Sequence, residues 1–203
     1  YLEHSLYAAD PLSRLYTIGP MFRRERPQKG RYRQFHQLDA EILGIDDPCV
    51  DAELIVMLTH FLERVGLRGV RLEINSLGCP DCRPGFRRLL LDYLVGRREA
   101  LCEDCRRRFQ TNPLRIFDCK LESCRAQLAL APEILGSLCP DCRAHFETFM
   151  QYLNVAGIPY QVNGRMVRGL DYYQRTAFEV TADVLGAQNA VLGGGRYNGL
   201  AKE

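Results

Sequence analysis

The chain has 203 residues, 46 % of them apolar, enough for one domain with a substantial core or a core plus a smaller module. Its 27 Lys and Arg stand against 25 Asp and Glu, a net charge of +2, so any nucleic-acid contact must come from local clusters rather than overall charge. No apolar run approaches the roughly 20 residues a membrane span needs, and the opening Tyr1-Leu2-Glu3-His4-Ser5 lacks the basic and apolar segments of a secretory signal.

Residues 15–23 have strand composition. Residues 34–43 alternate, with His36, Leu38, Ala40 and Ile42 on one face and Phe35, Gln37, Asp39, Glu41 and Leu43 on the other. Between them runs a charged stretch with Pro27 and Gly30, so the two segments read as an antiparallel hairpin with a long basic loop. Asp47 is placed to cap a helix with Pro48 in its first position. Its expected apolar stripe is Leu54, Met57, Leu58, Phe61, Leu62 and Val65, and Gly66 ends it. Val70, Leu72 and Ile74 then alternate with Arg71 and Glu73, a half-buried strand.

Helical patterns follow at 86–95, 99–109 and 143–155, and strand character returns at 158–162, 176–181 and 190–192, the last running into Gly193-Gly194-Gly195. Three zones are expected: a core over 1–78, a mainly helical insertion over 79–156, and the core resumed over 157–203. The fold class is α+β, a mostly antiparallel mixed sheet with flanking helices, interrupted by the insertion.

Of nine cysteines, Cys49 stands alone. Cys79/Cys82, Cys102/Cys105 and Cys139/Cys142 are C-x-x-C pairs, and Cys119/Cys124 is a wider one. In a chain without secretory features such pairs favour metal ligation over disulfides. Eight thiols could hold two Zn²⁺ as Cys₄ sites, and zinc could hold a small insert together. The other reading is reduced, buried cysteines acting as small hydrophobes. His145, three residues after Cys142, could substitute as a ligand, but is expected at the surface.

Arg23, Arg24, Arg26, Lys29, Arg31 and Arg33 surround a single acid, Glu25. Such a loop can trap an anion, since Arg grips phosphate oxygens through its planar fork; a solvated surface loop is the plainer alternative. In the insert Arg83, Arg87, Arg88, Arg97, Arg98, Arg106, Arg107, Arg108 and Arg115 could likewise contact phosphates or coat solvated helix faces.

The stretch Gly19 to Gln37 (GPMFRRERPQKGRYRQFHQ) closely resembles motif 2 of the class II histidyl-tRNA synthetases. Arg168-Gly169-Leu170-Asp171-Tyr172-Tyr173 resembles that family's first histidine-specific motif, and Gly193-Gly194-Gly195-Arg196-Tyr197-Asn198-Gly199-Leu200 its second. The resemblance covers zones one and three fully and the insert more loosely, in pieces such as Asn112-Pro113-Leu114-Arg115. It implies activation of histidine by ATP to histidyl-adenylate and transfer to the 3′ end of tRNA(His). Arg23 and Arg168 would be the catalytic pair at the α-phosphate. Glu25 would sit near adenine, Arg31 at the outer phosphates, and Phe35 would stack on adenine. Gln37 and Glu41 would hold histidine in a pocket lined by Tyr172, Tyr173 and Tyr197. Gly194 and its neighbours would let backbone pass close to the substrate.

Mg²⁺ accompanying ATP, a homodimer, a cytoplasmic setting and an insert that approaches the tRNA acceptor stem are implied as well. The chain has no initiator Met and lacks the family's motifs 1 and 3, so it is expected to be an internal piece with weak or no activity by itself. The alternative function is that of a non-catalytic paralogue, the regulatory subunit of ATP phosphoribosyltransferase, which should lack an intact basic motif 2 loop.

Overall fold

The computed structural model of the chain describes residues 1–27, 31–169, 172–182 and 189–200. Lys29 and Gly30 of the basic loop and Leu170 and Asp171 of the first histidine-specific motif lie outside the described residues. A one-turn helix α1 (Leu6–Ala9) precedes β1 (Ser13–Phe22) and β2 (Gln34–Leu43). These two strands pair antiparallel over their full length, from Ser13↔Leu43 to Phe22↔Gln34. The hairpin stands as a two-stranded sheet of its own, and β1 leaves Tyr16, Ile18 and Phe22 exposed.

Helix α2 (Pro48–Arg64) starts as its sequence dictates: the Asp47 carboxylate accepts from the Cys49 N–H at 2.8 Å, a bond that holds this carboxyl below its usual range. Gly66 follows its end at φ 80°. The buried face differs from the expected stripe. Val50, Ala52, Ile55 and Leu62 are buried, whereas Met57, Phe61 and Val65 are exposed. The reason is polar. Asp51 is pulled inward by Arg196 and Thr176, and it shares a face with Ile55 and Leu62.

Next come β3 (Val70–Ser76), α3 (Cys82–Val95), α4 (Glu103–Thr111), α5 (Glu122–Gln127) and α6 (Pro140–Val155), with 3₁₀ turns at 98–100, 113–118 and 134–137. The expected helix at 99–109 is split at Leu101-Cys102, where extended backbone turns the Cys102 N–H onto the Cys124 sulfur. The last strands are β4 (Gln161–Val162), β5 (Gln174–Ala182) and β6 (Ala190–Arg196). The strand expected at 158–162 shrinks to two residues, and the glycine run belongs to β6 itself. The second sheet has order β4-β3-β5-β6, antiparallel except for the short β3/β4 pair.

Two main apolar cores result. The first joins Ala52, Ile55 and Leu62 of α2, Leu72 and Ile74 of β3, Phe146, Phe149 and Leu153 of α6, and Phe178 and Val180 of β5. The apolar face of α6 therefore packs on α2 and the sheet, while its first turn meets α3 through the cysteines. Ile74, Phe149 and Leu153 are fully buried, each stabilising the fold by about 1.5–3 kcal/mol. The second core gathers Phe86, Leu90 and Leu94 of α3 with Leu101, Ile116, Leu128 and Ile134. Among the described residues no helix is long and apolar enough to cross a membrane.

Candidate active site

Strand alternation puts Phe35, Gln37, Asp39 and Glu41 on one face of β2, opposite Met21, Gly19, Thr17 and Leu15 of β1. The hairpin closes where the Arg23 N–H donates to the Arg33 carbonyl at 2.8 Å. Beyond that point the loop's own charges organise it. The Arg23 guanidinium lies 3.9 Å over the Phe35 ring, Arg31 pairs with Glu25 at 2.6 Å, and Arg33 Nε donates to the Glu25 carbonyl. Down the strand, the Gln37 amide donates to Asp39 at 2.6 Å.

Glu41 meets a residue far away in sequence. The Tyr197 hydroxyl donates to its carboxylate. Tyr197 stacks on Tyr173 with centroids 6.4 Å apart, and the edge of Tyr172 faces both rings. Burial, reinforced by the bond to Glu41, pushes the Tyr197 hydroxyl well above its ordinary value, and burial raises that of Tyr173. Both are therefore neutral donors at physiological pH. A cavity of about 810 Å³ opens beside them, lined by Glu41, Asp46, Phe178, Gly195, Arg196 and Tyr197 among others. That size suits a small-molecule site.

The glycines of β6 have a definite use here. A Cβ on Gly193 would lie 2.7 Å from the Arg168 guanidinium, one on Gly194 2.7 Å from the Phe178 ring, and one on Gly195 2.8 Å from the Tyr173 ring. The bare backbone thus lets three side chains lie flat against the strand. Arg168, held there, pairs with Glu179 on β5. Its Nε is buried with no hydrogen-bond partner among the described residues, a donor in reserve.

Beneath the tyrosines lies a charged network that sequence reasoning missed. Arg196, its side chain 4 % exposed, donates to Asp46, to both oxygens of Asp51 and to the Asp47 carbonyl. Thr176 donates to Asp51 at 2.5 Å, and Arg175, at φ 51°, reaches Asp46. The signal available was Asp46, Asp47 and Asp51 spaced along the start of one helix, with an Arg set between the glycine run and Tyr197. His145 corrects the surface expectation. It is buried, with Nε2 3.6 Å from Asp51, because α6 docks on α2 through the face that also carries Phe149. Burial lowers its pKa, against the pull of Asp51.

Residues 10–200 match the tRNA synthetase class II core domain (G, H, P, S and T). The chain belongs to this family. Over its full length it is 56 % identical to the histidine–tRNA ligase of Geobacter sulfurreducens, of which it spans 49 %, and 57 % identical to that of Desulfotalea psychrophila, of which it spans 47 %. The structure of apo S. aureus histidyl-tRNA synthetase superposes with a TM-score of 0.73 at 36 % identity, covering 98 % of this chain and 47 % of that one. The chain thus spans about half the length of the curated relatives it matches.

Two further features mark this class II core. Its eight paired cysteines meet in two quartets, Cys79/Cys82 with Cys139/Cys142 and Cys102/Cys105 with Cys119/Cys124, a partnership that sequence spacing leaves open. The N–H of Cys105 draws the Cys102 thiol down to about 7, that of Cys142 does the same for Cys139, and burial pushes Cys105 and Cys142 up. A basic groove of about 630 Å³ also runs where the insert meets the sheet, with Arg83, Arg87, Arg88, Arg115 and Arg168 in its lining. Within that lining Arg115 already pairs with Asp118 at 2.8 Å, and elsewhere in the insert Arg97 and Arg98 lie over Tyr93 and Phe109 while Arg107 pairs with Asp104.

Proposed function

We propose that this class II core binds histidine and ATP and, within the longer protein, joins them as histidyl-adenylate before the histidyl group passes to tRNA(His). The observation that carries the reading is the meeting of Glu41 with Tyr197. It brings Glu41 of the hairpin against Tyr197, giving one cavity a carboxylate and a neutral hydroxyl suited to the α-ammonium and imidazole N–H of histidine. A pocket built on polar partners rejects apolar amino acids far better than an apolar one can.

ATP would enter as its magnesium complex, substrate rather than resident cofactor. The histidine carboxylate oxygen attacks the α-phosphorus, the bond to the β-phosphate oxygen breaks, and pyrophosphate leaves. Charge grows on the α-phosphate oxygens, where Arg23 from the hairpin and Arg168 from beside β6 would oppose it. Phe35, already covered by a cation, offers a flat face to adenine, and Arg31 reaches the outer phosphates. In the second step the terminal ribose hydroxyl of tRNA attacks the histidyl carbonyl and AMP departs. The groove containing Arg87 and Arg88 would supply phosphate contacts for the acceptor end. The regulatory paralogue is not favoured: Arg23, Glu25, Arg31 and Arg168 are all retained, and the relatives matched over the whole chain are named ligases.

The test is calorimetric titration with non-hydrolysable histidyl- and leucyl-adenylate analogues. Binding of the histidyl compound alone is expected, weakened about 10- to 100-fold by Arg168→Ala, as loss of a charged hydrogen bond implies. Equal binding of both analogues would overturn the assignment.

A further inference from the structure

We propose that the two cysteine quartets are structural zinc sites, one at the root of the helical insert and one in the insert's own core. The inference is independent of the histidine and ATP reading.

The distances point to an ion. Within each quartet all four sulfurs lie within 4.8 Å of one another. Individual separations are 3.6 Å for Cys79–Cys82, 4.0 Å for Cys79–Cys139 and 3.9 Å for Cys102–Cys119. Four thiolates about 2.3 Å from a tetrahedral zinc have sulfurs about 3.8 Å apart. A disulfide would need about 2.05 Å, and all nine cysteines are free. A cubane iron–sulfur cluster, with one thiolate on each of four irons, needs its sulfurs spread much wider than a single ion does.

The surroundings repeat in both places. Each quartet joins the starts of two helices: α3 and α6 at the root, α4 and α5 in the insert's core. In each, a backbone N–H is aimed at a buried sulfur of the other pair, Cys139 N–H at Cys82 (3.1 Å) and Cys102 N–H at Cys124 (3.2 Å). Thiols packed as small hydrophobes have no need of such donors, whereas metal-bound thiolates do.

The fold also gives the ions work. Helix α4 has nine residues and α5 six, too short to persist in water without tertiary support. A core as small as the insert's benefits from a metal that binds only the folded form. At the root, Gly78 adopts φ 64°, and a Cβ there would fall 2.8 Å from that of Cys82. Its carbonyl accepts the Arg175 N–H at 2.8 Å. The root ion would therefore tie α3 and α6 to the sheet, and the second ion would hold α4 to α5.

The experiment is elemental analysis of the chain, purified without chelators, combined with mercurial titration of its thiols in the presence of a zinc indicator. Two zinc ions per chain are expected, released as the eight paired thiols react. Cys105→Ser and Cys142→Ser should each lower the content by one ion. Because either variant could misfold, Co²⁺ is also loaded into the unaltered chain, where thiolate-to-cobalt charge transfer and intense tetrahedral d–d bands should saturate at two equivalents. A folded chain with all eight thiols freely reactive and no stoichiometric metal overturns the proposal. So does iron in place of zinc, or disulfides detected by mass without reduction.

Discussion

Replacing Arg196 by Met keeps the apolar stem of the side chain and removes its hydrogen bonds to Asp46, Asp51 and the Asp47 carbonyl. Asp51, only 12 % exposed, keeps the Thr176 hydroxyl and has His145 nearby, but loses its counter-charge. Stripping one partner from a buried ion pair costs about 3–5 kcal/mol. Asp46 is more than half exposed and water can replace its lost partner, so the lower end, about 3 kcal/mol, is expected at about pH 8.

The loss should shrink on acidification. In the unaltered chain burial holds His145 below its ordinary 6.5, so the unfolded chain takes up the proton first and stability falls as pH drops through 6.5. Removing Arg196 takes away a cation that opposes this protonation and leaves Asp51 in need of one. The folded-state pKa of His145 then rises, adding stability at acid pH that disappears as pH increases through that value. Urea unfolding followed by circular dichroism at about pH 8 and about pH 5.5 measures the gap between the two proteins. A gap under about 1 kcal/mol at the higher pH, or one that stays constant or widens on acidification, would mean that Arg196 is not the counter-charge of a buried Asp51 coupled to His145.

Three other substitutions probe the site from different sides. His145→Gln should flatten the acid-side decline in stability just below pH 6.5; an unchanged slope in the same unfolding series would mean that His145 does not carry it. Tyr197→Phe should lower stability by about 1–2 kcal/mol by leaving Glu41 without its donor, and an unaltered urea midpoint would contradict that. Gly194→Ala drives a methyl group into the Phe178 ring and should cost about 1–3 kcal/mol, part of it recovered in the double variant with Phe178→Leu. Strict additivity of those two changes would remove steric contact as the cause.

Local signals read well from sequence. The period-two pattern of 34–43 became β2 residue for residue, and Asp47-Pro48 opened α2 as expected, because neither depends on distant partners. The rotation of α2 was not legible. Its apolar residues cover more than one face, and the choice between them falls to Asp51, whose partner Arg196 lies 145 residues away. The same limit hid His145 and left the pairing of cysteines open, since both follow from where α6 docks. In the candidate site, the tyrosines and Glu41 were named from motif resemblance, but their contact came only with the fold. Nothing in the glycine run announced that Arg168, Phe178 and Tyr173 would occupy the space its missing side chains leave.

The most direct test of the central claim is calorimetric titration of the chain with histidine, beside Glu41→Ala of demonstrated fold. Saturable binding to the unaltered chain is expected, with its loss in the variant. Equal binding in both, or none in a folded, unaltered chain, would contradict a histidine pocket built on Glu41 and Tyr197.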